Sequence, residues 1–177
     1  MAAAGSRFVS AGLIPVALAP DGSIRVLLHR QSGDDHMRDF GGSKLSESAD
    51  FTESVIDVFV HQTYGLFTDV HTPPALWLYR RIAAASAPSV HWALRRGHVV
   101  ALLPVPFLDA ALLDAAAQAS DGGSRSFFWL TPSQFAVAPL SGDLLVPSLR
   151  ATVADTKTLL ALFHDLCLLF CSFHTVI

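Results

Sequence analysis

Strands and helices alternate along this chain without a strict βαβ rhythm, which predicts a mixed α/β sandwich with a mixed sheet in a single domain. Three observations carry the prediction. At 177 residues the chain has the length of one domain. Two apolar runs flank an Asp-Gly step near the start, and a segment of helical periodicity follows a glycine pair.

Residues 12–19 (GLIPVALA) and 24–30 (IRVLLHR) are the apolar runs, and Pro20-Asp21-Gly22-Ser23 lies between them, so they read as a hairpin. A polar loop over 31–38 leads to Asp39-Phe40-Gly41-Gly42, where paired glycines permit positive φ and close backbone approach. Residues 51–64 follow as a helix. Its Val55, Ile56, Phe59 and Thr63 share one face, with Glu53, Asp57 and His61 opposite, and Gly65 stops it. Residues 75–82, 90–96 and 98–107 read as strands, the first two joined through Pro88 and Ser89. The Ala/Leu-rich 108–119 reads as a helix or a long insertion, and the glycine-rich 120–126 breaks it. A short strand at 127–130, a helical turn at 132–135 and a terminal helix at 149–163 complete the order. No internal repeat is present.

Composition excludes several function classes. Half the chain is apolar (51%) and only 15% is charged, against about 25% in an average globular chain. A disordered chain has the opposite balance. With 12 Lys+Arg, 15 Asp+Glu and a net charge of −3, the chain is no general polyanion binder, so any nucleotide or RNA contact is local. Arg80-Arg81 and Arg95-Arg96, with His91-Trp92, would form such a basic and aromatic platform; edge-strand charges account for the same arginines. The only cysteines, Cys167 and Cys171, rule out a disulfide framework or a four-cysteine zinc site and suit a reducing compartment. His36, His71, His98 and His174 show no metal-ligand spacing.

The ends differ in character. Residues 1–10 carry one Arg and no acid, faintly like an organelle presequence but short of the 15 or more residues such a leader needs. Intracellular placement, cytoplasmic or mitochondrial, is the expectation. Residues 159–177 are apolar around nearly the whole helical circumference. Asp165 near the middle costs about 2.5 to 3.5 kcal/mol on insertion scales, which argues against a membrane span. A helix apolar on all sides needs cover on all sides, so a protein partner is expected there. The domain organisation read from the sequence is thus a short flexible start over 1–10, a domain over 11–165 and an apolar tail over 159–177.

The glycine pair before a helix that stops at Tyr64-Gly65-Leu66 resembles the Nudix hydrolase family, whose box reads G-x5-E-x7-R-E-U-x-E-E-x-G-U with U aliphatic. The closing G-U falls on Gly65 and Leu66, and the aliphatic position on Val60. Gly41 and Gly42 match the glycine pair, and Glu47 stands at the G-x5-E spacing from Gly41. Ten residues rather than seven separate Glu47 from Val58; Asp50 has the spacing to Val58 but not to the glycines. The segment Phe127-Phe128-Trp129-Leu130-Thr131-Pro132 resembles the family's late tryptophan strand. The resemblance implies an α/β/α sandwich over nearly the whole chain.

Family members hold Mg²⁺ or Mn²⁺ on box glutamates and cleave a pyrophosphate linked to a second group. In this sequence the family's metal-face positions are Phe59, Gln62 and Thr63, its arginine is Val58, and the acid often found before the late tryptophan is missing from Ser124-Arg125-Ser126. Neutral side chains cannot offset the dehydration of Mg²⁺. The first expectation is therefore a non-catalytic binding or structural subunit of a larger protein or ribonucleoprotein assembly, without cofactor. The alternative is a divergent Mg²⁺-dependent pyrophosphohydrolase acting on nucleoside diphosphate-linked compounds through Glu47, Asp50 or Glu53. On the first reading those acids, with Asp57, form a solvated ladder near a helix start. Arg30, Arg38 and Lys44 are the candidate ligand contacts, because they flank the glycine loop and arginine forks match phosphate.

Overall fold

The Asp21-Gly22 step closes a hairpin in which Ser23 donates to Asp21 Oδ1 from both N (2.9 Å) and Oγ (2.5 Å), while Gly22 takes φ +77°. Its arms are β1 (Ser10–Leu18) and β2 (Ile24–Gln31), with Leu18 opposite Ile24. The structure, a computed structural model, describes residues 9–43, 51–67, 92–95, 98–138, 145–147 and 149–150, with the backbone alone for 51–53, 92–95 and 99. Its further strands are β3 (Phe40–Ser43), β4 (Trp92–Arg95), β5 (His98–Pro104) and β6 (Arg125–Leu130). Its helices are α1 (Phe51–Gln62), α2 (Ala110–Asp121) and α3 (Pro132–Val137).

The chain folds as a mixed α/β domain. Among the described residues the sheet runs β4-β5-β1-β2-β6, with β3 also on β1. The β1–β5 pairing is parallel and the others antiparallel. Residues 11–17 of β1 are all buried, as expected for a strand covered on both faces. Ala11, Leu13 and Ala17 face one core with Val55 and Phe59 of α1 and Leu113 and Ala117 of α2. Ile14 and Val16 face the other with Phe135 of α3, Leu145 and Leu149. The period of two thus divides one apolar run between two cores.

β1 changes neighbours along one edge. Residues 10–13 pair with β3 and residues 16–18 with β2, while β5 follows the other edge from Ser10 to Val16. Pro15 sits at the divide. Because Val16 O accepts from Val105 N on the β5 side (2.9 Å), strand alternation turns Pro15 N toward the edge where β3 and β2 part. A residue without an N–H stands where no ladder bond is required.

The expected helix over 51–64 is α1. Val55, Phe59 and Thr63 are buried while Asp57 and His61 are exposed, and Gly65 (φ +71°) turns the chain after it. The segment at 108–119 is a helix and not an insertion. Asp109 caps it by accepting from Ala111 N, and Gly122 ends it at φ +72°. Thr131 and Gln134 form a reciprocal capping box at α3. The expected strand at 75–82 and the apolar tail at 159–177 lie outside the described residues, as does all of the expected terminal helix beyond residue 150. No helix among the described residues is long and apolar enough to cross a membrane.

Candidate functional site

A polar cleft of about 280 Å³ opens beside the divide, between the starts of β1, β5 and β6, strand β3, and the end of β2. Residues from both sheet faces line it: His29 lies on the Leu27 side, against Phe40, whereas Ser10 and His98 lie on the side of Ile14 and Val100.

On one wall three side chains form a chain of hydrogen bonds. Ser10 and His98 are partners in the parallel register of β1 and β5, so their side chains stand side by side, with Ser10 Oγ 2.7 Å from His98 Nδ1. His98 Nε2 lies 2.8 Å from Asp39 Oδ2, and both side chains of that pair are 7% exposed. Gly12 makes room for the carboxylate. A Cβ at position 12 would stand 1.7 Å from Asp39 Oδ2. With Asp39 ionised, Nε2 carries the hydrogen it donates and Nδ1 accepts from the serine hydroxyl.

The opposite wall carries His29, Gln62, Arg38 and Arg125. His29 packs on Phe40 at 4.8 Å between ring centroids, donates through Nε2 to Asp39 O at 3.2 Å, and finds no partner for Nδ1 among the described residues. Burial, then the Arg125 charge, pushes it down to about 4, outweighing the bond to the Asp39 carbonyl. His29 is neutral in the folded protein above that pH, whereas an unfolded histidine protonates below about 6.5. The unfolded state therefore binds more protons between about 4 and 6.5, and stability falls as pH drops through that window. We expect His29 to account for a loss of about 3 kcal/mol over it. Denaturant titrations from pH 7.5 to 4 check this, with His29→Phe lacking that share of the slope.

The cationic groups are engaged. Arg38 grips Asp34 through Nε (3.0 Å) and Nη2, and Arg125 Nη1 donates to Asp121 Oδ2 (2.9 Å) and to Tyr64 Oη (3.0 Å). Hydrogen bonds from Ser124 and Tyr64 hold Asp121 down at about 2. The same bonds anchor Tyr64, which takes the left-handed φ of +54° just after α1.

The sequence-derived candidates distribute unevenly. Gly41, Gly42, Gln62 and Arg38 line the cleft. Arg30 does not line it; its guanidinium lies over Phe128, 5.2 Å from the ring centre. Lys44, Glu47 and Asp50 lie outside the described residues, as does the side chain of Glu53. Gly41 and Gly42 are not in the positive-φ region, so close approach, not turn geometry, accounts for Gly41: a Cβ there would meet Ala11 O at 2.1 Å. Val58 faces Gly42. Phe59 and Thr63 are fully buried, Phe59 edge-on to Phe40 at 5.7 Å and Thr63 donating to Phe59 O at 2.8 Å. Only Gln62 of the three metal-face positions reaches the cleft, and its Nε2 donates to Gly41 O at 3.3 Å. These three side chains do not fit a hard divalent cation, which takes carboxylate and other free oxygens. Among the described residues no group of three or more His, Cys, Asp or Glu could hold a metal.

Sequence reasoning missed Ser10, His29, Asp39 and Arg125 as cleft residues, and it considered His98 only for metal spacing. The bare Gly12 within an apolar run was the one local sign, since glycine inside a strand marks a close approach.

No family model and no curated protein matches the chain. Among solved structures it is similar to an Ap4A hydrolase from C. elegans, with 15% identity, a TM-score of 0.47, and 90% of this chain and 98% of that chain covered. A binary complex of a C. elegans Ap4A hydrolase is similar at 13% identity and a TM-score of 0.42, over 89% and 95% of the two chains. RenU, a Nudix hydrolase from M. smegmatis, is similar at 15% identity and a TM-score of 0.37, over 88% and 86%. None of these likenesses establishes what this chain binds or does.

Proposed function

We propose that this chain is a Nudix-like domain that serves as a binding or structural subunit and does not carry out metal-dependent pyrophosphate cleavage. One observation carries the reading. Phe59 and Thr63, where the sequence resemblance calls for carboxylates, are turned wholly into packing: the ring into an aromatic cluster with Phe40 and Phe67, the hydroxyl onto the helix backbone. A cation needs ligands that face it, and this helix face presents a core instead. The cleft is the ligand site on this reading; a small anionic or nucleotide-like group there would draw Arg38 and Arg125 of its wall away from Asp34 and Asp121. The apolar residues 159–177 are the proposed seat of a protein partner inside the cell.

Metal titration tests the reading. Millimolar Mg²⁺ or Mn²⁺ is expected to raise stability by less than about 0.5 kcal/mol, the linkage value for free ion no higher than its Kd. No turnover of nucleoside diphosphate-linked compounds is expected with either ion. Metal-dependent turnover that disappears in Glu47→Gln, Asp50→Gln or Glu53→Gln would replace this proposal with the divergent pyrophosphohydrolase.

A further inference from the structure

We propose that Ser10 is an activated nucleophile, with His98 as its base and Asp39 as the group that orients the base, and that the cleft processes small carboxylic esters without a metal. The inference goes beyond the binding role above and does not depend on it, because Ser10 and His98 lie across the sheet from α1.

Geometry supports it in three ways. Oγ of Ser10 is 2.7 Å from Nδ1 of His98, and Nε2 of the same ring is 2.8 Å from Oδ2 of Asp39, so nucleophile, base and orienting carboxylate are in hydrogen-bond reach in sequence. The carboxylate fixes the tautomer. With the ring hydrogen committed to Asp39, the lone pair of Nδ1 points at the serine proton. The ring is used in the reverse sense from the serine protease arrangement, in which Nδ1 meets the aspartate; both nitrogens lie in the ring plane, so either can take the proton. Second, Asp39 and His98 are buried while Ser10 lies at the cleft wall, and burying a carboxylate is costly unless hydrogen bonds compensate it, as the bond from His98 does here. Third, a central strand gives up a side chain at Gly12 to admit Asp39.

The chemistry balances without a co-reactant other than water. Ser10 Oγ forms a bond to the ester carbonyl carbon as its proton passes to Nδ1, and Asp39 stabilises the resulting imidazolium. The bond to the leaving alcohol breaks, and that alcohol takes the proton from Nδ1, leaving an acyl-Ser10 ester. Water then repeats the sequence: its oxygen bonds to the acyl carbon, its proton goes to Nδ1 and on to Ser10 Oγ, and the carboxylic acid departs. A cleft of about 280 Å³ is at the small end for ligand sites, which suits a small acyl group.

The test uses the full chain with two probes, a fluorophosphonate and p-nitrophenyl acetate, read by intact mass and peptide mapping. A single adduct on Ser10 is expected, absent in Ser10→Ala. Asp39→Asn, which keeps the shape but not the charge, is expected to slow labelling at least about 100-fold. Ser10→Ala is also expected to melt within a few degrees of the parent, so loss of label is not loss of fold. An unlabelled native protein, label on another residue, or a labelling rate unchanged in Asp39→Asn at intact melting temperature would each overturn the proposal.

Discussion

Phe59→Glu is expected to abolish folding, although it places an acid where the Nudix box that the sequence resembles carries one. The ring is fully buried against Phe40 and Phe67. Removing a buried phenylalanine costs about 3 to 5 kcal/mol, and an unpaired carboxyl in its place adds a desolvation cost or must take up a proton. Together these match the whole stability of a typical domain, about 5 to 15 kcal/mol. Gln62→Glu is expected to lose only about 1 kcal/mol, because Gln62 is half-buried and gives up one hydrogen bond to Gly41 O. Circular dichroism and urea unfolding of the two variants check the contrast. A folded Phe59→Glu protein stabilised by Mg²⁺ would show that the helix face still turns to the cleft.

Gly41→Ala and Gly42→Ala are expected to differ sharply despite being neighbours. A Cβ at Gly41 would meet backbone atoms of β1, Ala11 O at 2.1 Å and Gly12 Cα at 2.5 Å. Backbone in a central strand cannot move aside as a side chain does, so β3 must leave its register, at a cost of about 3 kcal/mol or more. At Gly42 the nearest atom is Val58 Cγ2 at 3.8 Å, an ordinary contact, and alanine there narrows the unfolded ensemble for a gain of about 0.4 to 1 kcal/mol. Urea midpoints of the two proteins decide it, and equal midpoints would mean that β1 and β3 do not approach as closely as the register requires.

Much of this was legible along the chain. The hairpin followed from Asp21-Gly22 between apolar runs, α1 from the spacing of Val55, Phe59 and Thr63, and the absence of charge at 59, 62 and 63 from the letters alone. These are local properties, since turn chemistry and periodicity are set within a few residues. The direction of Phe59 and the joining of Ser10, Asp39 and His98 were not local. Ser10 and His98 are 88 positions apart and meet because β1 and β5 run parallel in a particular register; a crossover pairing leaves no mark on either segment. Gly41 and Arg30 show the same limit at short range. One is fixed by the backbone of a strand it meets in space, and the other was carried out of the cleft by the alternation of β2. Short-range pattern thus chose the elements, while burial and strand register chose which side chains share a wall.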